Sequence, residues 1–175
     1  MRPLNATRRI AVAALAALAI ATAGSAAAAS ISPTGTTATW HGVGDLQFGR
    51  KLSELRAEGL VGRAGPGCIL APGEKVAPLR PPLEGVAHFY PGERLSALNL
   101  TGGAVTSTGV RVGSSAAQAQ KAYPGAIYDP PPARIPTLPG YMWVGGRFHS
   151  RMALVIGNHS RRVVEITIPH PSICE

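Results

Sequence analysis

One layout is written twice in this chain, and that limits its fold more than any other feature. "LQFGRKLSELRAEG" (46–59) and "VRVGSSAAQAQKAYPG" (110–125) align at a spacing of 64 positions. Leu46, Phe48 and Gly49 fall on Val110, Val112 and Gly113, and Leu52 and Leu55 fall on Ala116 and Ala119. Before each glycine, apolar residues alternate, which predicts a short half-buried extended entry. After it they come at i and i+3, which predicts a helix with one buried stripe. Ser115 and Gln118 make a capping-box pattern at the second helix start. The first copy has Arg50 and Lys51 there, and positive charge at a helix start opposes the dipole. Gly59 and Pro124-Gly125 supply the stops.

The segments behind each helix also correspond. "GCIL", "GVAHFY" and "RLSALNL" follow the first; "YMWVGGRF", "RMALVIG" and "RRVVEITI" follow the second. "FYPGERL" and "IGNHSRRV" read as hairpin turns. A half of about 65 residues with one short helix is marginal alone, and two such halves side by side bury each other's faces. The expected fold is α+β: a tandem repeat of a short helix packed on antiparallel strands, forming one sheet, with halves at about 42–103 and 106–175. Five prolines in "YDPPPARIPTLPG" (128–140) predict a stiff extended loop, and "PGEKVAPLRPP" (72–82) a milder one.

The stretch 44–60 resembles the apolar-x-Phe-Gly-Met-Thr signature of the β-lactamase inhibitor protein family, a layout shared by small outer-membrane assembly lipoproteins. The similarity covers 44–60 and 108–125 and extends loosely to the strands behind them. It implies a short helical segment against an antiparallel sheet, carried twice in tandem in the inhibitors. This chain has Arg50-Lys51 and Ser114-Ser115 where the signature has Met-Thr. The inhibitors' contact residues have no counterparts here, so the resemblance names no target. The chain is also similar to secreted proteins of high-GC bacteria that share G-x-x-x-G units and a terminal cysteine.

The first 29 residues combine Arg2, Arg8 and Arg9, an apolar run from Ile10 to Ala23, and small residues around Ala29. That composition predicts a cleaved export signal, with the run too short to span a bilayer comfortably. The remaining 30–175 are expected to form a single secreted domain without a membrane span. Removing 1–29 takes three of the 17 basic residues and none of the nine acidic ones, leaving a net charge of +5. The charge is dispersed, with no stripe interleaved with aromatics, so no nucleic-acid partner is expected. Two cysteines in an exported chain, Cys68 and Cys174, are expected to form a disulfide. In the chain-entropy model, closing a loop of about 100 residues contributes up to about 4.7 kcal/mol.

Motif chemistry is sparse. The five histidines, His41, His88, His149, His159 and His170, show no metal-ligand spacing. His149 and His159 flank one predicted hairpin, but two ligands are half of the usual zinc set. There is no nucleophile elbow, phosphate loop or dinucleotide fingerprint. Neither cofactor nor metal is expected, and no catalytic residue is assigned. Strand alternation places His88 and Tyr90 together on the face opposite Ala87 and Phe89. With Trp143, they are the expected partner-binding residues, because exposed aromatics make good contact anchors. The expected function is a non-catalytic binding or inhibitor-type module acting on an extracellular or envelope protein. The alternative is a small extracytoplasmic hydrolase with a dispersed Ser/His/Asp site.

Overall fold

The computed structural model describes residues 36–90, 92–132, 134–135, 137–146 and 151–171. All of them belong to one compact unit, Ser32–Glu175. The expected signal segment and Cys174 lie outside the described residues, as do Phe148 and His149.

The architecture corrects the expected α+β repeat on one sheet. The described residues are 43% strand and 10% helix, in two sheets of four and eight strands. The small sheet holds β1 (Thr37–Thr39), β2 (Gly42–Val43), β3 (Leu46–Gln47) and β8 (Val105–Thr106), in the order β3-β2-β1-β8. The large sheet holds β4 (Gly65–Pro66), β5 (Lys75–Pro78), β6 (Glu84–Phe89), β7 (Leu95–Gly102), β9 (Ile127–Asp129), β10 (Gly140–Val144), β11 (Met152–Ile156) and β12 (Val163–Ile168). Its order is β4-β5-β6-β7-β12-β11-β10-β9, with every neighbour antiparallel. Strands of two or three residues carry too little alternation to stand out in a sequence, so the β content was underestimated. β5 lies inside the stretch expected to be a loop, and the ends of the Pro-rich stretch belong to β9 and β10. Proline is tolerated at strand ends, where no ladder donor is needed.

The helices are α1 (Leu52–Ala57) and α2 (Ala116–Ala122), six and seven residues long. Each is too short to form a layer of its own. Leu52, Leu55 and Ala119 join one buried cluster with Phe89, Leu98, Leu100, Met142, Leu154 and Ile166. At the start of α2, Ser115 Oγ accepts the Gln118 N–H at 3.1 Å, and Gln118 Oε1 accepts the Ser115 N–H at 2.8 Å. This reciprocal cap satisfies two of the donors orphaned at a helix start. At α1 the Glu54 carboxylate accepts the Lys51 N–H at 3.2 Å.

Each helix start is tied to a hairpin by matching bonds. Gly49 N–H donates to Leu95 O, and Gly113 N–H to Val163 O, both at 2.8 Å. Leu52 N–H donates to Glu93 O, and Ala116 N–H to Arg161 O, both at 2.9 Å. Arg94 Nη1 reaches Gly49 O at 2.7 Å, and Arg162 Nη1 reaches Gly113 O at 2.8 Å. Glu93 and Arg161 both take left-handed backbone angles, φ 58° and 53°. The carbonyls that receive the helix starts therefore sit on equivalent turns.

Candidate functional site

Register sorts the faces of the large sheet. Met142, Leu154, Ile166 and Leu100 lie side by side across four strands and form the core face. Trp143, Ala153, Thr167, Asn99 and Val86 make a corresponding row on the opposite face. His88 pairs with Ala97, two residues before Asn99, and so shares that second face.

The expected partner-binding residues divide into two places on this face. His88 and Tyr90 line one cavity of about 250 Å³, together with Ala71, Glu74, Ser96, Ala97, Pro169 and His170. Tyr90 is 49% exposed, but His88 is only 7% exposed, so the histidine is a wall of the cavity and not an open contact. Trp143, half-buried, lies on β10. Its ring stacks on Tyr141 with centroids 5.3 Å apart and planes at 22°, and its indole N–H donates to Asp129 Oδ2 at 2.7 Å. Offset stacks of this kind add about 0.5–1.5 kcal/mol beyond burial.

Sequence reasoning missed Glu74. Its Oε1 lies 2.9 Å from His88 Nδ1, and its Oε2 accepts the Cys68 N–H at 2.7 Å. Both side chains of the Glu74–His88 pair are nearly buried, at 10% and 9% exposure. The carboxylate engages Nδ1, and Nε2 is the other ring nitrogen. That Nε2 is buried and has no hydrogen-bond partner among the described residues. The two residues are 14 apart, Glu74 in a stretch that reads as a loop and His88 on a predicted strand, so no spacing announces them; the pairing of β5 with β6 brings them together.

Ser96 enters the cavity through a bulge. His88 pairs with Ala97 and Phe89 with Leu95, leaving Ser96 as the extra residue. Its hydroxyl donates to the His88 carbonyl at 3.1 Å. A serine, a histidine and a carboxylate thus line one cavity without a nucleophile-to-imidazole bond. His170 Nδ1 lies 3.1 Å from Pro171 O. No group of three or more His, Cys, Asp or Glu among the described residues is placed to hold a metal ion.

Beside the cavity, the turn after Cys68 presents Ile69 and Leu70, 89% and 66% exposed. Ala71 N–H closes this turn on Cys68 O at 3.0 Å. No cysteine among the described residues is free. No helix among them is long and apolar enough to cross a membrane.

No protein-family model, curated protein or solved structure matches this chain.

Proposed function

We propose that this chain is an exported binding or inhibitor-type module that meets an extracellular or envelope protein through the cavity lined by His88 and Tyr90 and its apolar rim. In this reading residues 1–29 are removed on export, and Cys68 pairs with Cys174, fixing the base of the Ile69–Leu70 turn. The observation that carries the reading is the buried Glu74–His88 pair in the wall of a cavity flanked by exposed aromatic and aliphatic side chains. Burying such a pair costs desolvation that an apolar filling would avoid, which supports a role beyond packing. A concave, mostly apolar site with few oriented polar groups is what a partner side chain requires. The resemblance to the inhibitor proteins supports this class without naming a target.

The Glu74–His88–Ser96 grouping favours a second reading, a hydrolase. A working nucleophile needs the serine hydroxyl within hydrogen-bond reach of the imidazole. Here Ser96 is bonded to the His88 carbonyl and Nε2 is buried, so the binding reading is preferred.

The test immobilises the mature protein and exposes it to envelope and culture-supernatant fractions, in parallel with Tyr90→Ala and Leu70→Asp. A protein retained by the parent and lost with both variants supports the reading. Equal retention by all three, or Ser96-dependent turnover of a generic ester, overturns it.

A further inference from the structure

The two helix starts differ in the charged side chains that flank them. In the first unit, Arg50 lies against α1. Its guanidinium donates to Glu58 Oε2 at 2.9 Å and to Asp45 O at 3.1 Å, with Glu54 3.9 Å away. A second Arg50–Glu58 bond completes a two-pronged pair. At the positions 64 residues on, Arg50, Glu54 and Glu58 become Ser114, Gln118 and Ala122. The guanidinium and both carboxylates are gone, and these three residues line a cleft of about 400 Å³.

The charges left in that cleft all have one sign. Arg111 and Arg162 line it, and no Asp or Glu does. Arg111 makes no ion pair or side-chain hydrogen bond among the described residues. Arg162 spends one nitrogen on Gly113 O and keeps its other donors. Ser114 Oγ accepts the Arg111 backbone N–H at 3.1 Å, which leaves its own proton to donate. Two arginines and a serine line a cleft whose lining carries no Asp or Glu.

We infer that the cleft between α2 and the β11–β12 turn binds a small oxyanion, phosphate or sulfate, through Arg111 and Arg162. Guanidinium forks match tetrahedral oxyanions with paired N–H donors. The first unit cannot do the same, because its own carboxylates already occupy the guanidinium there. This inference is independent of the cavity at His88.

The full chain is titrated with inorganic phosphate, and separately with sulfate and acetate, at low ionic strength, while amide chemical shifts are followed. The expected result is a saturable response at Arg111, Gly113 and Gln118 for phosphate or sulfate, weaker for acetate. Arg111→Gln is expected to weaken it at least about tenfold, since a charge-assisted fork is lost. The pair Ser114→Arg with Ala122→Glu rebuilds the first unit's filling and is expected to abolish the response. Should that pair fail to fold, Arg111→Gln alone decides. An unchanged affinity in Arg111→Gln, shifts located elsewhere, or no saturable response to any of the three anions overturns the inference.

Discussion

Glu74 holds His88 Nδ1 at 2.9 Å with one carboxylate oxygen and the Cys68 N–H at 2.7 Å with the other. One buried side chain thus orients the cavity histidine and anchors the loop carrying the exposed Ile69–Leu70 turn. Glu74→Ala is expected to lose about 1.5–3 kcal/mol of stability, because hydrogen bonds to a charged group are lost and buried donors are left unpaired. Urea denaturation of Glu74→Ala, His88→Ala and the double variant checks this. A coupling between the two sites near zero would remove the pair from the account.

Leu55 is fully buried in α1, and Ala119 occupies the matching position in α2. Leu55→Ala is expected to cost about 2–5 kcal/mol through the cavity it leaves. The converse change, Ala119→Leu, is expected to cost about 1–3 kcal/mol by overpacking. Equilibrium unfolding of both variants measures whether the two helix seats are filled as tightly as their burial indicates.

Gly85 has φ 128°, and a Cβ there would stand 1.9 Å from the Asn99 carbonyl oxygen. The close approach accompanies the register shift between Glu84 and Gly85. Gly85→Ala is expected to destabilise by more than about 2 kcal/mol, since backbone strain and a clash with main chain combine. A thermal midpoint within error of the parent would contradict the strand pairing given for β6 and β7.

The Glu58 carboxyl is held below its ordinary value by the hydrogen bond from Arg50, opposed by desolvation and assisted by the guanidinium charge. A carboxyl lowered on folding contributes stability at pH values above its unfolded value. That contribution fades as pH falls through the lowered folded value. Stability of the parent is therefore expected to drop on acidification below the ordinary carboxylate range, and Glu58→Gln to remove part of that drop. Denaturation midpoints followed from neutrality to about pH 3 test this, and the effect is expected to be small and salt-sensitive because the pair is exposed.

Much of the local structure was legible because it depends on neighbours in sequence. The i, i+3 stripes at Leu52/Leu55 and Ala116/Ala119, the Ser115–Gln118 cap and the turns at 92–93 and 158–160 need only short-range geometry. Period-two alternation puts His88 and Tyr90 on one face, but it does not tell that this face encloses a cavity with His88 buried in its wall. The sheet count was not legible. β2, β3, β4 and β8 are two residues each, too short to show alternation, and β8 exists because β1, far earlier in the chain, supplies the other half of its ladder.

The two short helices, the turn positions and the paucity of motif chemistry could be read from the residues alone, because helix stripes, caps and turn residues act over a few positions. The division of the strands into two sheets, the reach of Glu74 to His88, and the cleft that Ser114 and Ala122 line beside two arginines emerge from long-range packing. Those facts depend on contacts between residues far apart in the chain, and the energy of such contacts comes from desolvation and pairing in space, which no local pattern records.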